Sequence, residues 1–174
     1  MSKVISFNLS PESIDRTIKE IKEYKKEVLE KMKLFAEKIA VIGASEASIR
    51  FTTAIYDGTN DVFVSLDSNG SGYVIEAKGK AVAFIEFGSG VYHNPSEPYP
   101  NPRPDGVVGI GEYGDGKGKR RVWFYQGEPG TNGEVQKNGV VKTRGNPASM
   151  PMWYATEEMR KSIEQIAREV FGSD

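Results

Sequence analysis

A long run of apolar residues at helical spacing, beginning near Ser10, constrains the fold of this chain more than any other feature. Ser10 suits the N-cap position, Pro11 suits the first helical position, and Glu12 places negative charge at the positive end of the helix dipole. The apolar positions then follow steps of three and four residues: Ile14, Ile18, Ile21, Val28, Met32, Phe35, Ile39 and Ile42. Lys25 takes the one place in this series where an apolar residue is expected, and Gly43 is expected to end the helix.

The pattern predicts a helix over residues 10–42, which would be about 50 Å long. With 174 residues and 38% hydrophobic content, the chain can bury one modest core, so we expect a single domain over residues 1–174. A domain of this size does not cover such a helix along its whole length. We therefore expect the first half of the stripe to contact another chain. For the second half, packing on the chain's own sheet and contact with a partner both stay open.

Residues 46–87 are predicted to form antiparallel strands, because the apolar period changes after Gly43 and runs rich in Gly, Asn and Asp supply turns. The expected strands are 49–55, 62–66, 73–77 and 81–87. An alternative stays open for the first of them, since Ala47, Phe51 and Ile55 also stand at helical spacing and the long helix could resume there.

The second half of the chain is predicted to contain a long loop, two short strands and a helix. Residues 88–121 are dominated by Gly and Pro, and strands are expected to return over residues 122–143. A C-terminal helix is predicted over residues 150–171, with one apolar face formed by Met152, Ala155, Met159, Ile163, Ile166 and Val170. The expected fold class is α+β, with long N-terminal and C-terminal helices packed on a small antiparallel sheet and a long Gly/Pro-rich loop.

The composition leaves little room for catalysis or for a bound cofactor. The chain has no cysteine and one histidine, His93, which excludes disulfides, thiolate metal sites and paired-histidine sites. The segment 109–114 matches a dinucleotide-binding pattern, but the loop continues where that site needs a helix. The segment 111–118 matches most of a P-loop, but Gly118 stands where Ser or Thr is needed. We predict no enzyme activity, no cofactor, no metal site and no membrane span.

The overall charge gives no general reason to bind nucleic acid, because 23 Lys and Arg residues oppose 24 Asp and Glu residues. One local cluster is an exception, in which Lys117, Lys119, Arg120 and Arg121 stand beside the aromatic residues Trp123, Phe124 and Tyr125. Basic groups next to stacking aromatics are typical of surfaces that bind nucleic acid. A nucleic-acid-binding accessory protein that uses segment 117–125 therefore stays as the alternative function, and its contact with DNA would carry no sequence preference.

Four short motifs, in this order, resemble the tail-component family of siphophage neck proteins. They are Phe84–Val91, Gly109–Gly118, Trp123–Tyr125, and Gly145–Ala148 running into Met152–Thr156. The resemblance extends from about Ala36 to Phe171. Ser89 and Met152 stand where the family more often has Thr and Phe.

The resemblance implies a non-enzymatic virion protein that completes the tail, or joins head to tail, as a ring of its own copies. The implied partners are the protein itself and other neck, portal-side or tail-tube proteins, and the implied locations are the virion and the host bacterial cytoplasm during assembly. The interface or structural residues on its motifs are Glu86, Phe87, Gly88, Gly90, Trp123, Tyr125, Pro147, Met152 and Trp153. Because Glu86 stands in an apolar run, its carboxylate needs a partner. We expect backbone N–H groups of the 88–90 turn or a basic group of a neighbouring subunit.

Overall fold

The computed structural model describes residues 4–6, 8–70, 72–90, 122–130, 133–143, 145–146 and 148–172. The helices are α1 (Pro11–Thr53), α2 (Val82–Phe87) and α3 (Pro151–Phe171), and the strands are β1 (Phe63–Ser68), β2 (Tyr73–Lys78), β3 (Ser89–Gly90), β4 (Trp123–Gln126), β5 (Glu134–Val135), β6 (Val140–Thr143) and β7 (Gly145–Asn146). The α+β fold class is confirmed, with the two long helices packed together and on small antiparallel sheets. Most of the predicted 88–121 loop, including His93, lies outside the described residues, as do the basic cluster 117–121 and Pro147.

Helix α1 is 43 residues long and does not end at Gly43, so the predicted boundary at residue 42 is wrong. Gly43 is buried where α1 meets α3 and β2. A Cβ atom at this position would lie 2.5 Å from the sulfur of Met159 and 2.7 Å from a methyl of Ile75. The glycine therefore allows a close approach between elements and does not act as a C-cap. The open alternative, in which the helix continues through Ala47 and Phe51, is the one that the structure has, and both residues are buried.

The predicted strand 49–55 is wrong, and the hairpin that forms joins the next two strands along the chain. The segment 49–55 is mostly helical, so it pairs with no strand in the described part of the structure. Instead β1 pairs antiparallel with β2, in a register that places Phe63 opposite Lys78 and Ser68 opposite Tyr73. The hairpin packs against the C-terminal half of α1.

The segment 81–87, predicted as a strand, forms the short helix α2. A short apolar run does not distinguish a strand from a buried helical turn by periodicity alone. A carboxylate distant in sequence favours the helix here, because Asp61 accepts the backbone N–H of Lys80 at 2.9 Å and that of Ala81 at 3.0 Å. These hydrogen bonds hold the pKa of Asp61 below its ordinary value. They also satisfy donors at the start of α2, where no side chain of the N-cap residue does so.

The sequence predicted one small sheet, whereas the described strands form three. Besides the β1–β2 hairpin, there is a two-stranded sheet and a three-stranded sheet. Strand β6 lies between β4 and β5, and β3 pairs with β7 over two residues on each side. The short pairing of β3 with β7 brings the segment that follows α2 to the segment that precedes α3.

Helix α3 begins at Pro151 and ends at Phe171, close to the predicted range 150–171. It runs antiparallel to α1, since Phe171 lies beside Phe35, with 5.9 Å between the ring centroids, whereas Tyr154 lies beside Arg50, with its ring centroid 4.0 Å from the guanidinium carbon. The core lies at the C-terminal end of α1, where Phe51, Ala81 and Ile85 are almost fully buried and Met152 packs against them. The covered part of α1 therefore runs from about residue 34 to its end.

Candidate assembly surface

The first 23 residues of α1 extend beyond the described contacts of that helix with α3, and we call residues 11–33 the arm. At about 1.5 Å per residue the arm is roughly 35 Å long. Its start is capped as the sequence predicts, because the hydroxyl of Ser10 accepts the backbone N–H of Ser13 at 3.3 Å. The hydroxyl of Ser13 in turn accepts the backbone N–H of Asn8 at 3.0 Å. The first of these hydrogen bonds satisfies a donor of the first helical turn, and the second fixes the segment before the helix, so both oppose fraying at the end that lies farthest from the core.

One face of the arm carries an exposed apolar stripe, which consists of Ile14, Ile18, Ile21, Leu29 and Met32. Each of these side chains is between 39 and 54% exposed. Full burial of an aliphatic side chain contributes about 1.5–3 kcal/mol, so complete burial of each of these half-exposed side chains would contribute about 1 kcal/mol more. Lys25 interrupts the stripe near its middle. The stripe is therefore an apolar surface without a cover among the described residues.

The charges of the arm are balanced, since residues 11–33 contain seven basic and six acidic side chains. Three ion pairs at a spacing of four residues lie along its surface: Lys19–Glu23, Lys26–Glu30 and Glu27–Lys31. A helix that binds an anionic membrane carries Lys and Arg in excess on its polar face, and a helix that binds nucleic acid needs a similar excess. This charge pattern favours contact with a protein surface of low net charge.

An apolar groove of about 500 Å³ lies between α1, α3 and β2. Phe35 and Ile39 line it from α1, Met152 and Met159 from α3, and Ile75 from β2. No charged side chain lines this groove. It is open to the outside and offers a surface whose chemistry matches that of the stripe.

Glu86 lies at the junction of α2 and α3 and caps the start of α3. Its carboxylate accepts the backbone N–H of Met152 at 2.9 Å and that of Trp153 at 3.2 Å, and the residue is only 5% exposed. The N-cap residue of α3, Met150, has left-handed backbone dihedrals and offers no side-chain cap, so Glu86 supplies what the local sequence lacks. The sequence predicted that the partners of Glu86 would be backbone N–H groups of the 88–90 turn or a basic group of a neighbouring subunit. The two N–H groups found here belong instead to the first turn of α3.

Backbone hydrogen bonds reinforce this junction. Ser149 donates to the carbonyl of Ile85 at 2.9 Å, and Met150 donates to the carbonyl of Glu86 at 3.3 Å. Three of the residues predicted from the motifs therefore meet here, namely Glu86, Met152 and Trp153. Phe87 is the last residue of α2, and Gly88 follows at a φ of +75° as the C-cap of that helix. Gly90 pairs with Gly145 between β3 and β7.

The predicted residues Trp123 and Tyr125 lie on β4 of the three-stranded sheet. Trp123 pairs with Thr143 through the backbone of β4 and β6, and its side chain lies outside the described part of the structure. Tyr125 lies two residues further along β4, where its hydroxyl donates to the carbonyl of Glu128 at 2.6 Å. The structure therefore divides the motif residues between the α2–α3 junction and the three-stranded sheet.

A buried polar cluster on this second sheet was not predicted from the sequence. Thr143 donates a hydrogen bond from its hydroxyl to the carboxylate of Asp57, and both residues are buried. Desolvation, with a smaller contribution from the charge of Asp57, raises the pKa of Tyr125 to about 12. Desolvation also raises the pKa of Tyr56, and the negative charges of Asp61 and Asp57 make smaller contributions in the same direction. The cluster connects the segment after α1 to β4 and β6.

The described residues hold no group of three or more His, Asp or Glu side chains placed to bind a metal ion. Among the same residues, no helix is long and apolar enough to cross a membrane. Comparison of the chain with protein-family models, curated proteins and solved structures gave no match. Function is therefore inferred from the arm, the groove and the motifs themselves.

Proposed function

We propose that this protein is a non-enzymatic structural subunit of a phage or prophage virion, which joins head to tail at the neck through ring-like self-assembly. The observation that supports self-association is the arm, because a capped helix that presents an uncovered apolar stripe offers more contact surface than the small core requires. The ring-like arrangement rests on the resemblance described above. The groove on the same chain provides an apolar surface for a further copy to contact.

The resemblance to siphophage tail components supports the virion setting of this proposal. Two of its motifs, Phe84–Val91 and Met152–Thr156, include the residues that make the Glu86 junction. This role is structural, since a carboxylate engaged by helix N–H groups fixes the position of α3 against α2. Other neck, portal-side or tail-tube proteins are the proposed further partners.

The first test is the mass of the purified protein by light scattering over a wide range of concentration. We expect a mass above that of the monomer that falls on dilution, and we expect Ile21→Glu to shift the equilibrium toward monomer by at least tenfold. Leu34→Glu is the matched control, since Leu34 has a similar exposure but lies about 140° away from Ile21 around the helix. A monomer at every concentration, together with no binding to tail tubes or portal-bearing capsids, would refute the proposal.

The same preparations test the nucleic-acid alternative. Binding of DNA that weakens steeply with salt, and that is lost when Lys117, Lys119, Arg120 and Arg121 are neutralised, would favour that function over the connector. Saturable binding to the particle with no DNA binding supports the connector.

A further inference from the structure

The arm cannot fill the groove of its own chain, because arm and groove wall are successive parts of one continuous helix. We infer that the free protein is a two-fold dimer in which the arm of each copy lies in the groove of the other. This inference rests on the self-association proposed above and specifies its geometry.

The arm and the groove match in length and in chemistry. From Ile14 to Met32 the stripe extends about 27 Å. The lining of the groove runs from Phe35 on α1 to Met152 on α3, and Met152 packs against the cluster that contains Phe51. Phe35 and Phe51 are separated by about 24 Å along α1, which gives the approximate distance between the two ends of the groove. Both surfaces are apolar, and the stripe contains a single charged residue, Lys25. A row of aliphatic side chains can therefore enter the groove along nearly its whole length.

The two surfaces face the same side of the subunit. Ile39, on the wall of the groove, follows Ile14 by 25 residues, which is within about 20° of seven full turns of the helix. A head-to-tail ring needs complementary surfaces that face in different directions, so that each contact leads on to a new subunit. When the arm and the groove face the same side, a rotation of 180° places the arm of each copy against the groove of the other. Both contacts then form at once, and the assembly closes at two copies.

The area also favours a reciprocal contact. A stripe of about 27 Å by about 10 Å covers on the order of 270 Å² on each partner, so one arm in one groove buries about 540 Å² in total, which is typical of a crystal contact. Two reciprocal contacts bury about 1,100 Å², which clears the roughly 1,000 Å² expected of a biological interface and lies in the range of weak, transient ones. The dimer is therefore the form of the free subunit, and ring formation at the neck is a separate step.

The absence of cysteine allows a direct test with single-cysteine variants of the full chain. Ile18→Cys places a thiol on the stripe and Thr156→Cys places one in the groove. The two proteins, distinguished by a tag on one of them, are mixed and treated with a short bis-maleimide. We expect a crosslink between arm and groove. The matched controls are Arg16→Cys on the opposite side of the arm and Ser162→Cys in a second groove between α1 and α3, and we expect at least fivefold less crosslinking from either.

The double variant Ile18→Cys/Thr156→Cys separates a two-fold dimer from a ring. A reciprocal pair gives a covalent dimer and no larger species on a denaturing gel, whereas a head-to-tail ring or filament gives a ladder of higher oligomers. A ladder of higher oligomers, or crosslinks only between two arms, would contradict the exchange of arms but would still agree with self-association. If light scattering finds a monomer at every concentration and no crosslink forms, both this inference and the proposed self-association fail.

Discussion

Replacement of Glu86 by Gln should destabilise the fold by about 2–4 kcal/mol. In the structure both carboxylate oxygens accept backbone N–H groups at the start of α3, and the residue is almost fully buried. Gln keeps one acceptor oxygen but turns an N–H₂ group toward the second N–H donor. A hydrogen bond to a charged group contributes about 1.5–3 kcal/mol, and a negative charge at a partly buried helix N-terminus contributes up to about 2 kcal/mol. Because both figures describe partly the same interaction, they do not add in full, and the expected loss is about 2–4 kcal/mol.

Urea denaturation followed by circular dichroism measures this loss. With a urea dependence of about 2 kcal/mol per molar, a loss of this size moves the midpoint by about 1–2 M. Glu158→Gln is the matched control, because it removes the same charge from a half-exposed site on α3 where the partner is Lys161, and it should cost less than about 1 kcal/mol. Amide exchange at Met152 and Trp153 should accelerate in the Glu86 variant alone. Equal midpoints for the two variants would show that Glu86 does not cap α3.

Four further predictions concern other described contacts. The pKa of Asp61 is lowered in the folded state, so the ionised carboxylate stabilises the fold fully above about pH 4. This stabilisation is lost as the pH falls through the pKa of the folded state, and the urea midpoints of wild type and Asp61→Asn should therefore converge in acid. Thr143→Val removes a donor from buried Asp57 and should cost about 1–3 kcal/mol in the same urea experiment. Because the pKa of Tyr125 is raised to about 12, its ionisation opposes folding above pH 10, and ultraviolet titration should lose one late-ionising tyrosine in Tyr125→Phe. Lys25→Leu makes the stripe continuous, and light scattering should show self-association at least tenfold tighter.

The start of α1 could be predicted from the sequence and its end could not. The cap at Ser10 is local, since its partner is only three residues away. The role of Gly43 depends on Met159, more than a hundred residues further along the chain, which determines that this glycine serves close packing. A local pattern contains no information on that contact.

The same reasoning applies to α2 and to the junction with α3. Asp61 stabilises the start of α2 from about twenty residues away, and an apolar run such as 81–87 does not indicate that a carboxylate will be there. The need of Glu86 for a partner was predictable from its apolar neighbours, but the identity of that partner was not. One signal could have identified it, because Met150 and Pro151 provide no capping side chain and α3 must therefore be capped from elsewhere. The pair of Asp57 and Thr143, 86 residues apart, has no comparable signal.

The arm is suited to docking because it is ordered before it binds. Isolated helices are marginal below about 12–15 residues, whereas the arm has 23 residues, a cap at its start and a continuous helix behind it. A disordered tail would lose about 1–2 kcal/mol of backbone entropy for each residue that it orders on binding, and the arm avoids most of that cost. Lys25 then has a definite effect, since it lowers the affinity of an otherwise apolar stripe and disfavours registers that bury its charge. In the proposed dimer, an ordered arm therefore lowers the entropic cost of docking, and Lys25 limits the affinity of the contact.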